Sequence, residues 1–293
     1  MPASLKLRVK ALAAATVWAY GPEKLIETLK RCGVAPGSTL VVHSSWLQYN
    51  GFRGKPADLV RTLKRAVGDD GLLVMASMPY HNMTSAEWLA RGKPMDVRRS
   101  PSMMGMVSES LRRSDGVVRS LSATHPLLAW GSAAAAFVAG HNETDRPFGA
   151  DSPFARLLER HAIILGFDAP FSSFTFTHFV EDQLAETLPV PLYAPETVRG
   201  LVVDQAGTAS EQWVRVLSEE ANALRREERL VARLKELGVL HHGRIGHSTL
   251  IWIRAQDLLT GASGLVADGI HFFDAPHKNL SGNNTGTNAY GNR

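Results

Sequence analysis

The stretch Thr175-Phe176-Thr177-His178-Phe179-Val180-Glu181 has the residue types and spacing best suited to chemistry in this chain. Histidine has the ordinary pKa that lets a side chain take and return a proton near neutrality. On a helix, His178 and Glu181 stand at i and i+3 and share a face. Glu181 can then orient the imidazole or stabilise its charged form. Thr175, three residues earlier, can offer a hydroxyl to a developing oxyanion. The spacing alone is also satisfied by an exposed His–Glu pair on a capped helix.

A second group ends an apolar run. "TLVVHSS" leads into His43, Ser44 and Ser45, and α/β proteins place ligand loops at the ends of buried strands. Serines that merely cap the strand end would read the same way, and His43 can equally point back into the fold. No Gly-x-Ser-x-Gly elbow occurs, which argues against a serine acyl-enzyme. The single cysteine, Cys32, excludes an intrachain disulfide and a four-thiolate zinc site. It reads as a helix-end thiol. Neither His178-x-x-Glu181 nor His241-His242 completes the His-Glu-x-x-His of a zinc protease, so no metal is expected, and His241-His242 is placed in a loop after Gly238.

These residues must be carried by alternating elements. Helices are expected over 22–32, 56–67, 103–113, 132–139, 152–160 and 177–186, with a short helical segment near 86–90. Buried strands are expected over 39–42, in "GLLVMASMP" and in "AIILGF", with another leading on from 116–120 and one more in "RIGHSTLIWIR". Residues 213–237 read as largely helical. Strands alternating with helices imply an α/β fold, a mixed sheet flanked by helices. No repeat or linker divides the chain, so one compact domain is expected over 1–278, with a helical C-terminal elaboration. The polar, glycine-rich tail over 279–293 reads as disordered.

Several segments, in order, resemble the antibiotic N-acetyltransferase family, whose best-known members acetylate the 3-amino group of aminoglycosides. They are "GVAPGSTLVVHSSW" with "AVGDDGLLVMASMP", then "MDVRRSPSMMGMVSESLRRSDGVVRS", then "DSPFARLLERHAIILGF" with "TFTHFVED", and more weakly "LKELGVLHHGRIGHSTLIWIRAQDLL". Together they span about residues 25 to 260.

The resemblance implies acetyl-CoA as cosubstrate and an amine as acceptor, with direct transfer in a ternary complex. It implies His178 as the base, Glu181 as its partner and Thr175 as an oxyanion donor. The loop of His43, Ser44 and Ser45 would follow the pantetheine arm. Phosphates would meet Ser100 to Met104, with Arg98 and Arg99 adjacent, or Arg119 and Ser120. His125, Asp168 and Asp182 would face the acceptor, and Glu181 and Glu186 could add to an acidic pocket for a polycation.

The chain departs from the family at two places. The family reads Arg-Ser-x-His-Pro, whereas this chain reads Arg119-Ser120-Leu121-Ser122-Ala123-Thr124-His125-Pro126, with Ser122 at the first histidine's position. The loop over 166–175 is also longer than usual. An amino sugar outside the antibiotics is the alternative acceptor, and a non-catalytic CoA-binding or ligand-binding protein the remoter one.

Composition narrows the classes further. A net charge of +4 and a pI of about 9.3 slightly favour anionic partners such as CoA phosphates. The basic residues are scattered, with no zinc finger, RNP-like motif or basic arm, so nucleic acid is not expected. No apolar run reaches the roughly 18 residues of a membrane span. Residues 1–15 lack an export signal's apolar core and read as an amphipathic lead-in to a cytoplasmic protein. A homodimer is compatible with the sequence.

Overall fold

The structure, a computed structural model, describes residues 3–276. The tail read as disordered lies outside the described residues.

Among the described residues ten strands form two sheets: β1 (Thr39–Ser44), β2 (Leu72–Ala76), β3 (Met95–Asp96), β4 (Val117–Arg119), β5 (Leu127–Trp130), β6 (Ile163–Phe167), β7 (Tyr193–Val203), β8 (Ala209–Leu217), β9 (His241–Ile245) and β10 (Ser248–Arg254). The large sheet runs β4-β5-β2-β1-β6-β10-β9. Its centre is parallel: β1 pairs with β2 on one side and β6 on the other. Antiparallel strands close both flanks. The expected mixed sheet flanked by helices is therefore the architecture observed.

The central strands carry continuous apolar runs, over 40–42, 72–76 and 163–165, because helices cover both faces. Val41 and Ile164 enter the core on one face, with Phe154, Phe176 and Leu258. Leu40, Val42, Ile163 and Leu165 enter the other, with Leu25, Leu59 and Leu63. The helix Pro56–Val67 keeps the expected bounds, with proline in its first turn and Gly68 after its end at φ 68°. The order of strands reverses about β1, and open α/β sheets bind ligands outside the carboxyl ends of strands at such a point.

Two expectations are corrected and one is narrowed. Residues 213–237 are helical for most of their length but not at their start. Their first part belongs to β8, paired antiparallel with β7, while Glu219–Leu224 and Glu227–Glu236 are the helices. Gln212, Val214 and Val216 are buried while Trp213 is exposed, a period of two that belongs to a strand. This hairpin and β3 form the second sheet, over a small core of Tyr80, Trp88, Leu89 and Ala123. His241 and His242 lie in β9, not in a loop. The helix Ala3–Ala15 is not amphipathic: Leu5, Leu7 and Val9 alternate with Lys6, Arg8 and Lys10, which distributes the apolar residues around the helix, and Leu5, Leu7, Val9 and Leu12 are all exposed.

Candidate active site

At the carboxyl ends of the central strands opens a cavity of about 700 Å³. β1 brings His43, Ser44 and, just beyond it, Ser45 to its wall. Met104 comes from the segment before the helix Met106–Arg112, and His125 from the turn before β5. Thr175 and His178 come from the start of the helix Phe176–Gln183. Seven residues separated by up to 135 positions thus converge on one space.

The helix Phe176–Gln183 places its dyad as the spacing requires. His178 Nδ1 donates to Glu181 Oε2 at 2.8 Å, which leaves Nε2 as the nitrogen free to act as a base. The His178 side chain is 24% exposed and the Glu181 side chain only 2%. The pair is therefore a half-covered imidazole on a buried carboxylate, not the solvated pair that the spacing also allowed. Arg225, at the end of the helix Glu219–Leu224, grips the same carboxylate twice, at 2.6 Å and 2.9 Å. Burial alone would raise the Glu181 pKa, but His178 and Arg225 together hold it below the ordinary value. Glu181 consequently stays ionised and accepts from both partners.

Two further imidazoles in the wall are neutral. Burial lowers the His43 pKa to about 4, its ring stacks on Phe174 with centroids 5.2 Å apart, and its Nε2 has no partner. Burial, with smaller contributions from His178 and His141, lowers that of His125 well below the ordinary value. His125 Nε2 lies 3.3 Å from the Tyr80 hydroxyl, while Nδ1 is unpartnered. Phe148 sits between His125 and His178, its ring centroid 4.6 Å and 5.1 Å from theirs.

Several residues assigned from sequence stand elsewhere. Arg119 is 9% exposed, and its guanidinium already donates to the carbonyls of Ser100, at 2.6 Å, and Ser77. Burial pulls its pKa down to about 10. Ser120 is wholly buried, with its hydroxyl between Leu127 N and His141 Nδ1, both at 2.8 Å. These two residues bind the fold together and are not presented to a phosphate. Ser100 is spent locally, accepting from Asp96 N at 2.9 Å. Arg98 and Arg99 remain exposed beside it.

The acidic pocket is corrected for the same reason: its carboxylates already have partners or lie elsewhere. Asp168, at φ 54°, accepts from Ser248 Oγ at 2.8 Å and Thr249 N at 2.7 Å, and borders a smaller cavity of about 440 Å³. Asp182 accepts from the Tyr193 hydroxyl at 2.9 Å and lies 3.5 Å from Arg146, while Glu186 is exposed. Among the described residues, none lining the main cavity is Asp or Glu.

Sequence reasoning missed Arg225, Tyr80, Phe148 and Phe174. Arg225 stands in "LRREERL", which reads as a solvated charge run, and its partner lies 44 residues away. Among the described residues no group of three His, Cys, Asp or Glu could hold a metal ion. No described helix is long and apolar enough to cross a membrane. Cys32 is buried at the C-cap of the helix Pro22–Arg31, and burial pushes its thiol up to about 11.

The model of the aminoglycoside 3-N-acetyltransferase family matches residues 41–266. Aminoglycoside N(3)-acetyltransferase VIII of Streptomyces fradiae is 30% identical over 172 residues, 54% of this chain and 59% of that protein. The match to that relative thus spans less than two thirds of its length. Aminoglycoside N(3)-acetyltransferase IV of Salmonella sp. is 29% identical over 267 residues, 86% of this chain and 90% of the relative. The crystal structure of aminoglycoside acetyltransferase AAC(3)-Xa superposes with a TM-score of 0.73 at 21% identity, covering 92% of this chain and 99% of that one. AAC-IIIb, solved as a binary complex with CoASH, gives 0.72 at 20% identity, covering 86% and 98%. At these identities the two structures establish a common fold.

Proposed function

Since the chain belongs to the aminoglycoside 3-N-acetyltransferase family, we propose that it transfers an acetyl group from acetyl-CoA to the amine of an amino sugar. The observation that carries this reading is the dyad. A half-covered His178 faces a cavity at the carboxyl end of a parallel sheet, with its Nδ1 held by a buried, arginine-braced Glu181.

A protonated amine cannot attack a thioester, so the acceptor reacts as its free amine, its ammonium proton given up to solvent. As the nitrogen bonds to the thioester carbonyl carbon, His178 Nε2 takes the further proton that this nitrogen must lose. Glu181, 2.8 Å from Nδ1, stabilises the imidazolium as it forms. The carbonyl oxygen becomes an oxyanion, and the Thr175 hydroxyl, in the same wall, is the donor assigned to it. Collapse breaks the carbon–sulfur bond, and the thiolate of CoA leaves with the proton that the imidazolium returns. No acyl-enzyme is needed. The strand-end loop of His43, Ser44 and Ser45, with Met104 in the same cavity wall, is the proposed path of the acyl-bearing arm. Arg98 and Arg99 are the exposed cations of the stretch assigned to the phosphates.

The test is release of free CoA thiol from acetyl-CoA with a panel of amino sugars and aminoglycosides. Amine-dependent release that vanishes in His178→Ala supports the assignment. Amine-dependent release that persists at the wild-type rate in that variant removes His178 from the mechanism.

A further inference from the structure

Arg225 is a long side chain at the end of a short helix, Glu219–Leu224, and an arginine must lose much rotamer freedom before its fork can hold a carboxylate. Three groups fix its guanidinium. Nε and Nη2 donate to the two oxygens of Glu181, at 2.6 Å and 2.9 Å. Nη1 donates to Asn222 Oδ1 at 2.9 Å. The guanidinium carbon lies over the Phe273 ring, 5.4 Å from its centroid.

Phe273 comes from the segment that follows the last described helix, Ala255–Ala267. Residues 271–274 lie beyond 41–266, the stretch matched by the family model. They are laced to the turn that carries Arg225. Phe273 and Arg225 form an isolated antiparallel bridge, in which Arg226 N donates to Phe272 O and Asp274 N to Leu224 O, both at 2.8 Å. The Asp274 carboxylate pairs with Arg226 at 2.7 Å and with Arg229 at 2.6 Å. Arg229 also donates to His271 O at 3.1 Å. Phe272 and Phe273 are buried in the same core as Phe176, Phe179 and Val180 of the helix that bears the dyad.

We propose that residues 271–274 are a strap that positions Arg225, and through it Glu181 and His178, so that Phe273 and Asp274 are positioning residues for acetyl transfer. The proposal rests on the acetyl-transfer reading above. A carboxylate as buried as Glu181 needs fixed donors if it is to stay an anion aligned with His178 Nδ1. With the ring removed or the strap released, the fork can swing off one carboxylate oxygen, and Glu181 is free to turn away from Nδ1. Neither Phe273 nor Asp274 lines the cavity, so the loss falls on the chemical step and not on donor binding.

The test is a double-mutant cycle on kcat for thiol release, at saturating acetyl-CoA and acceptor and well below the Tm of every variant. Phe273→Leu keeps an apolar side chain and removes the ring face under the guanidinium. Asp274→Asn keeps the shape and removes the charge that holds Arg226 and Arg229. Each should lower kcat about three- to tenfold in the otherwise native chain, with the KM for acetyl-CoA changed less than about twofold. In the Glu181→Gln chain the anion is already gone, and the same substitutions should cost less than about twofold in kcat. A strap that only stabilises the fold lowers Tm and leaves kcat unchanged, or lowers kcat by the same factor in both chains; either result overturns the proposal and leaves acetyl transfer standing. Should Phe273→Leu fail to fold, Asp274→Asn decides, because its carboxylate is 32% exposed. Absence of thiol release by the native chain with every amine defeats the acetyl-transfer reading, and wild-type kcat in Glu181→Gln defeats the dyad; the strap falls with either.

Discussion

Replacing Glu181 with glutamine separates what this residue does for the fold from what it does for the dyad. The substitution keeps the shape and an acceptor for His178 Nδ1 but removes the charge between His178 and Arg225. Taking one partner from a buried ion pair costs about 3–5 kcal/mol, because the remaining charge is stranded. Arg225 is 17% exposed, so the lower end of that range applies. At about 2.1 cal/mol/K per residue, unfolding a chain of 293 residues carries an entropy near 0.6 kcal/mol/K, and a loss of about 3 kcal/mol lowers Tm by about 5 °C. Catalysis loses a different quantity. A carboxylate beside a forming imidazolium contributes roughly 1–3 kcal/mol once solvent screening is allowed for, so kcat should fall about 10- to 100-fold. The assays are thermal unfolding and thiol release at saturating acceptor. The double variant Glu181→Gln/Arg225→Met removes the stranded cation and should regain most of the stability and little of the activity. Wild-type kcat in Glu181→Gln would refute its role toward the imidazolium. Recovery of activity together with stability in the double variant would show that the loss was structural.

Other outcomes follow from the same geometry. His178→Ala should lower kcat by about 10²–10⁴-fold with Tm close to wild type, since the imidazole is partly exposed; an equal fall in acetyl-CoA affinity, measured by calorimetry, would reassign it to donor binding. CoA at about 100 times its Kd should stabilise the protein by about 2.7 kcal/mol, a Tm rise of several degrees, and no rise with either CoA or acetyl-CoA would count against donor binding. Stability should fall as pH drops from about 6.5 to 4. Burial holds His43 and His141 near 4, so the unfolded chain takes up their protons first, at a cost of about 3 kcal/mol each, and a Tm flat across that window would show that these rings are not buried neutral.

The elements legible in the sequence are those whose packing is local in pattern. The runs over 40–42 and 163–165 are apolar without alternation because both faces of the sheet are covered, and length with flanking turns identifies them as strands. The helix at 56–67 announces itself by a first-turn proline and a following glycine. The hairpin of β7 and β8 was not legible. The two strands bury Val202, Val214 and Val216 in its core, with Ala194 and Val198 partly buried beside them, and the charges of its outer face merge with those of the helices that follow. Composition there resembles one long polar helix, and only the pairing of Val198 with Val214 and of Gly200 with Gln212 distinguishes them.

The candidate site divides along the same line. His178 and Glu181 are three residues apart, so a single turn of helix fixes their geometry and spacing can find them. Arg225 is held to Glu181 by the return of the chain through two strands and a helix, which nothing in either local stretch encodes. Arg119 shows the converse error. An arginine beside a serine at a strand end is chemically fit for a phosphate, but fitness is decided by where the guanidinium's donors go. Here they are used by the carbonyls of Ser100 and Ser77. Those bonds tie β4 to the segments that carry Met78 and Met103 to the cavity, whose backbones are themselves joined at 2.9 Å. Arg119 therefore belongs to the support of the cavity wall. Arg119→Met should disturb Tm more than it disturbs the salt dependence of CoA binding, whereas a residue touching phosphate would do the reverse.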